Sequence, residues 1–102
     1  MNRLDPLDLR GQEDAQHLTE ERARLELHIE QGDLRWLMSD KRGRRFVRRS
    51  LERAGVWRSS FSANPLEMAF AEGRRYEGLR LLKHIESHCP ELCIEMLKES
   101  KE

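Results

Sequence analysis

From Lys41 to Ala54 the chain reads "KRGRRFVRRSLERA". On a helical wheel its charged and apolar positions separate completely. With Lys41 as origin, Gly43, Phe46, Val47, Ser50, Leu51 and Ala54 occupy an arc from about 140° to 280°. Lys41, Arg42, Arg44, Arg45, Arg48, Arg49, Glu52 and Arg53 fill the remainder. A strand, whose side chains alternate with a period of two, would put arginines on both of its faces. The segment therefore predicts an amphipathic helix, capped by Ser39 or Asp40. Gly55 is its left-handed stop, and Val56 is the apolar residue that folds back on the last turn.

Nothing else in the 102 residues alternates as a strand does, so other helices must cover that apolar face. Thr19, followed by Glu20 and Glu21, predicts the start of a first helix. Leu18, Leu25 and Ile29 form a stripe on it only about 40° wide. Leu27 points the opposite way, and Gln31-Gly32 is read as the end. Asp33 caps a short segment, Leu34 to Met38, with Leu34, Leu37 and Met38 inward and Trp36 beside them. After the basic helix, "VWRSSFSANP" is a connection pinned by Trp57 and Phe61. Asn64-Pro65 starts a helix running to about Ser87, with Leu66, Phe70, Ala71, Gly78, Leu81, Leu82 and Ile85 on one side. Gly73 and Gly78 in its interior imply close approach of another segment, since each costs roughly 1 kcal/mol against alanine. Cys89-Pro90 opens a last helix with Leu92, Cys93 and Met96 inward.

The expected fold is all-α, a small bundle of four to five helices without a sheet. Its expected core joins Trp36, Leu37, Phe46, Val47, Leu51, Trp57, Phe61, Phe70, Leu81, Leu82, Ile85 and Leu92. Residues 1–17, with Asp5-Pro6 and Arg10-Gly11 as breakers, read as an N-terminal tail. Residues 18–32 read as an acidic helical arm, and residues 33–102 as the folded domain.

Charge divides along the same lines. Net charge is zero, yet residues 1–34 hold nine acids and four bases, whereas residues 35–58 hold nine bases and two acids. Such a split points to a partner surface or to docking of one end of the chain on the other. No apolar run approaches the roughly 18 residues of a membrane helix. The N-terminus has no apolar core of a secretory signal, so the cytosol and reduced Cys89 and Cys93 are expected.

The basic helix admits three readings. Arginine stems can simply cover the apolar edge with their heads in water. They can bind nucleic-acid phosphate, although the exposed arc carries no Asn or Gln to read bases and the domain is not basic overall. Or they can dock on an acidic protein, including the acidic first helix of a neighbouring copy. Arg42, Arg45 and Arg49 lie within about 60° of one another on the wheel. With Lys41 and Arg53 they are the candidate partner-binding residues, while Arg44 and Arg48 sit nearer the apolar boundary with packed stems. "HIESHCPELC" brings His84, His88, Cys89 and Cys93 within ten residues. Structural zinc sites join ligand pairs more distant in sequence, and Pro90 turns the chain between these pairs. No metal is assigned. No nucleophile elbow, P-loop, zincin or dinucleotide motif is present, so neither catalytic residues nor a cofactor are expected.

The segments "DLRWLMSDKRGRRFVRRSLERAGVWRSSF", "FAEGRRYEGLRLLKHI" and "CPELCIEMLKE" resemble, in order and spacing, a small family of tailed-bacteriophage proteins typified by a protein of a Bordetella podophage. Residues 1–32 lie outside the resemblance. Arg48-Arg49-Ser50 departs from it where an aromatic or aliphatic residue is expected. The resemblance implies a non-enzymatic virion-associated or assembly component, found in the virion or the host bacterial cytoplasm. Its partners would be phage structural proteins or further copies of itself, with nucleic acid the alternative.

Overall fold

A computed structural model describes residues 8–102 and contains four helices: α1 (Leu9–Met38), α2 (Lys41–Ala54), α3 (Pro65–His88) and α4 (Pro90–Glu99). No strand occurs among the described residues. Contacts divide the chain into two units, Met1–Asp33 and Leu34–Glu102.

In the first unit, α1 begins ten residues before the expected start at Thr19. The Asp8 carboxylate accepts the Gly11 N–H at 3.0 Å, which satisfies one of the orphan donors of the first turn. Gly11, read as a breaker, is thus a third-position donor to a cap. Thr19 sits in mid-helix, its hydroxyl donating to the Ala15 carbonyl at 3.0 Å. Gly32 also lies within the helix, because a glycine stop needs a positive φ and only Gly55 has one among the described residues. Of the expected tail, residues 1–7 lie outside the described residues and Leu9–His17 are helical. Leu18, Leu25 and Ile29 are all exposed.

In the second unit the core is Met38, Val47, Leu51, Val56, Ile85, Cys89, Cys93 and Met96, with Leu34, Leu37, Ala54, Leu79, Leu81, Leu82 and Leu92 packed against it. It contains no aromatic residue. Trp36, Phe46, Trp57, Phe61 and Phe70, all expected inside, are exposed. On α2 the buried arc centres between Val47 and Leu51, and Phe46 lies about 100° from Val47 around the wheel. On α3, Gly78 is the point that faces Ala54 and Val56 at the end of α2. The turns carrying Leu66 and Phe70 precede that point and stay exposed.

The local signals set the helix ends. The Asp40 side chain accepts from the Arg42 N–H at 2.7 Å. Asn64 accepts from Leu66 and Glu67, with Pro65 behind it. Gly55, at φ 81°, closes α2 with the Gly55 N–H on the Glu52 carbonyl and the Val56 N–H on the Leu51 carbonyl. This is the paired arrangement that satisfies the last carbonyls, and it carries Val56 into the core.

Arginine side chains also bond carbonyls at the ends of three helices. Arg44 Nη1 donates to the Met38 carbonyl that ends α1, at 2.9 Å. Arg58 Nη2 donates to the Glu52 carbonyl of α2 at 3.3 Å. Arg35 Nη2 donates to the His88 carbonyl that ends α3, at 3.0 Å. Each places a cation at the negative end of a helix dipole. Arg44 also grips Glu99 of α4 through Nε and Nη2 at 2.9 and 2.7 Å. Both side chains are nearly buried, Arg44 11% and Glu99 8% exposed. The hydrogen bond to Glu99 pushes the Arg44 pKa further up, against the opposing pull of burial. Arg35 likewise pairs with Glu91 at 2.8 Å. The Glu91 carboxyl is held below its ordinary pKa first by its own backbone N–H and then by Arg35.

Two glycines are required by packing. A methyl on Gly43 would overlap the Leu37 carbonyl oxygen, and one on Gly78 would lie 2.6 Å from Val56 Cγ2 and 2.8 Å from Ala54 Cβ. Gly32 and Gly73 have nothing within 4 Å of that position. The same substitution therefore has opposite signs. Gly32→Ala and Gly73→Ala should each stabilise by about 0.5–1 kcal/mol through helix propensity, whereas Gly43→Ala and Gly78→Ala should destabilise by about 1–3 kcal/mol through overpacking. Urea unfolding midpoints of the four variants check this.

Candidate interaction surface

The arginines of α2 fall into two groups. Those near the apolar boundary are engaged: Arg44 as above, and Arg48 with Glu52 at 3.1 Å, its side chain 20% exposed. The outer group is exposed. Arg42, Arg45 and Arg49 have no side-chain ion pair or hydrogen bond among the described residues. Arg53 reaches only the Ser50 hydroxyl at 3.3 Å. Lys41 lies 3.1 Å from Glu102, so it is the partly neutralised member of the set.

Phe46 is the residue of this surface that wheel reasoning misplaced. It is 63% exposed and projects about 20–60° from Arg53, Arg42 and Arg49 around the helix. Arg42 also shares an open groove with Trp36, Leu37 and Gly43. The outer face of α2 thus carries guanidinium groups without an intramolecular ion pair, flanked on one side by an exposed aromatic. Arginine and aromatic residues are the types enriched where protein interfaces concentrate their binding energy. The sequence carried no signal that separates the two edges of the apolar arc: Phe46 stands at one and Leu51 at the other, and only Leu51 is buried.

The other candidates resolve differently. Cys89 and Cys93 are free, buried core residues, while the His84 and His88 rings lie tilted by 39° with centroids 5.2 Å apart. Among the described residues no three His, Cys, Asp or Glu side chains converge to hold a metal. Burial pushes both thiols above their ordinary pKa of 9.0. The folded state thus disfavours the thiolate, and its stability should fall as pH rises through and above that value. Thiol labelling at neutral pH should be slow in the native protein and should speed up on adding denaturant to the rate of a free cysteine. Rapid native labelling would mean that the α3–α4 corner is open.

No helix among the described residues is long and apolar enough to cross a membrane. What these features define is a small all-helical domain with arginine-capped helix ends and one uncompensated cationic face. A family model described as Bbp19-like phage protein matches residues 34–98, and the chain belongs to that family of bacteriophage proteins. Comparison with curated proteins and with solved structures finds no match.

Proposed function

We propose that the protein is a non-enzymatic structural or assembly component of the phage particle, acting in DNA packaging, DNA delivery or the tail region. It docks through Arg42, Arg45, Arg49, Arg53 and Lys41 on an acidic surface of a phage structural protein or of a second copy of itself. It resides in the virion, or in the host bacterial cytoplasm before assembly. The observation that carries this reading is that Arg42, Arg45 and Arg49 are exposed on the face of α2 bordered by exposed Phe46, while no acid of the domain pairs with them. Quantifying the chain in purified particles tests it. A fixed copy number per particle is the expected result, and absence from particles would contradict it.

The alternation of arginines with Phe46 also supports a second reading, in which the same face binds nucleic acid by phosphate contact and base stacking. Affinity that falls steeply with salt, with a slope set by the number of phosphates contacted, would favour that reading over a protein partner.

The acidic arm, residues 18–32, is the candidate element for self-association, since Leu18, Leu25 and Ile29 are exposed on it. Deleting residues 1–32 should leave the Leu34–Glu102 unit folded and shift the oligomer distribution, measured by sedimentation. Loss of helical signal in the remaining unit would show that the arm belongs to the core.

A further inference from the structure

Beyond the face of α2, at the far end of that helix, three more arginines meet. Arg58, Arg74 and Arg75 line a cavity of about 120 Å³ together with Ser59 and Ser60, and no carboxylate contributes to its wall. By volume it holds about four water-sized groups, the size of a tetrahedral oxyanion. Arg58 is fixed across Gly55 by its bond to the Glu52 carbonyl, which uses one of the five guanidinium donors. Arg74 lies over the Phe70 ring, 5.6 Å from its centroid. Arg75 is half-buried, and its Nε is buried without a hydrogen-bond partner. A buried donor without a partner is costly, and neither Arg74 nor Arg75 has a carboxylate partner among the described residues.

We infer that this cavity between the end of α2, the Ser59–Ser60 connection and α3 is a binding site for a phosphate-class oxyanion. Three guanidinium groups match a dianionic tetrahedral group better than a planar monoanionic carboxylate. The planar forks supply paired donors to phosphate oxygens, and the Ser60 hydroxyl is free to add another. Partial burial of Arg75 strengthens its contact relative to water. The site stands on residues separate from Arg42, Arg45 and Arg49, so it holds whether or not α2 docks on a partner.

Titration of the full-length protein with inorganic phosphate, at ionic strength held constant with sodium chloride, tests it. Saturable binding by calorimetry and a rise in Tm are expected. Arg74→Gln and Arg75→Gln should each weaken binding at least about tenfold, and Arg75→Lys should weaken it too by losing the fork. Ser60→Ala, which removes one half-buried hydroxyl, should weaken binding a few-fold and provides the test should Arg75→Gln fail to fold. The Arg42, Arg45, Arg49→Glu variant should bind phosphate as the wild type does. A short oligonucleotide with and without a 5′-phosphate identifies the source. Tighter binding of either form than of inorganic phosphate, lost in Arg75→Gln, assigns a nucleic-acid phosphate; binding of inorganic phosphate alone assigns a free one. Absence of saturable phosphate binding, unchanged affinity in Arg75→Gln or Ser60→Ala, or equal weakening in the α2 triple variant would overturn the assignment.

Discussion

Leu51→Ala should cost the domain about 2–5 kcal/mol, while Phe46→Ala, one turn and a half earlier on the same helix, should cost less than about 1 kcal/mol. Leu51 is 1% exposed and belongs to the cluster of Met38, Val47, Ile85 and Met96. Its truncation leaves a cavity that a core of eight buried side chains has little means to fill. Phe46 is larger but projects to solvent, so removing its ring takes away little packing. Ranking by side-chain size gives the reverse order. Urea denaturation of the two variants distinguishes them, and a loss of several kcal/mol in Phe46→Ala would place that ring in the core. A small domain has only about 5–15 kcal/mol of stability in total, so the Leu51 variant should be visibly compromised at physiological temperature.

The parts of the fold legible in the sequence are those set by chemistry within one turn. Asp40, Asn64-Pro65 and Gly55-Val56 each act through donors or carbonyls two to five residues away, and each sits where it was expected. The helical period placed Val47 and Ile85 inside their apolar arcs, whereas Phe46 and Leu51 stand at opposite edges of the arc on α2 and only Leu51 is buried. Residues at the arc's edge were not decidable in this way: a wheel gives the direction of Phe46 or Phe70 but not how far a neighbouring helix extends over it. Gly32 and Gln31 looked like a terminus because composition alone cannot show whether φ is positive. The arginine clasps were out of reach for another reason. Arg44 and Glu99 are 55 residues apart, and no local pattern among so many charges pairs one with the other. What the sequence did convey was the side of α2 on which Arg44 and Arg48 run along the apolar boundary, and both are engaged there. The cationic surface was legible as a set of residues, whereas the exposure of the aromatic at its border was not.

Reversing the outer arginines should separate folding from docking. In the Arg42, Arg45, Arg49→Glu variant no side-chain ion pair or hydrogen bond among the described residues is lost, because these three make none. Lys41, Arg44 and Arg48 keep their partners. Exposed substitutions of this type typically change stability by about 0.5 kcal/mol or less, so helical content and the unfolding midpoint should stay near those of the wild type. At a contact with an acidic surface, each change turns attraction into like-charge repulsion. Wrongly juxtaposed charge of this kind costs several kcal/mol across an interface. Every 1.4 kcal/mol is a tenfold loss in affinity, so docking should fall by at least about a hundredfold.

The most direct measurement is therefore the amount of this triple variant in purified phage particles, produced alongside wild-type protein and shown by circular dichroism to be folded. The account predicts a folded variant that is absent from particles, or present at no more than a few per cent of the wild-type level. Incorporation of the folded variant at the wild-type level would contradict it. The exposed arginine face of α2 would then not be the surface through which this protein docks.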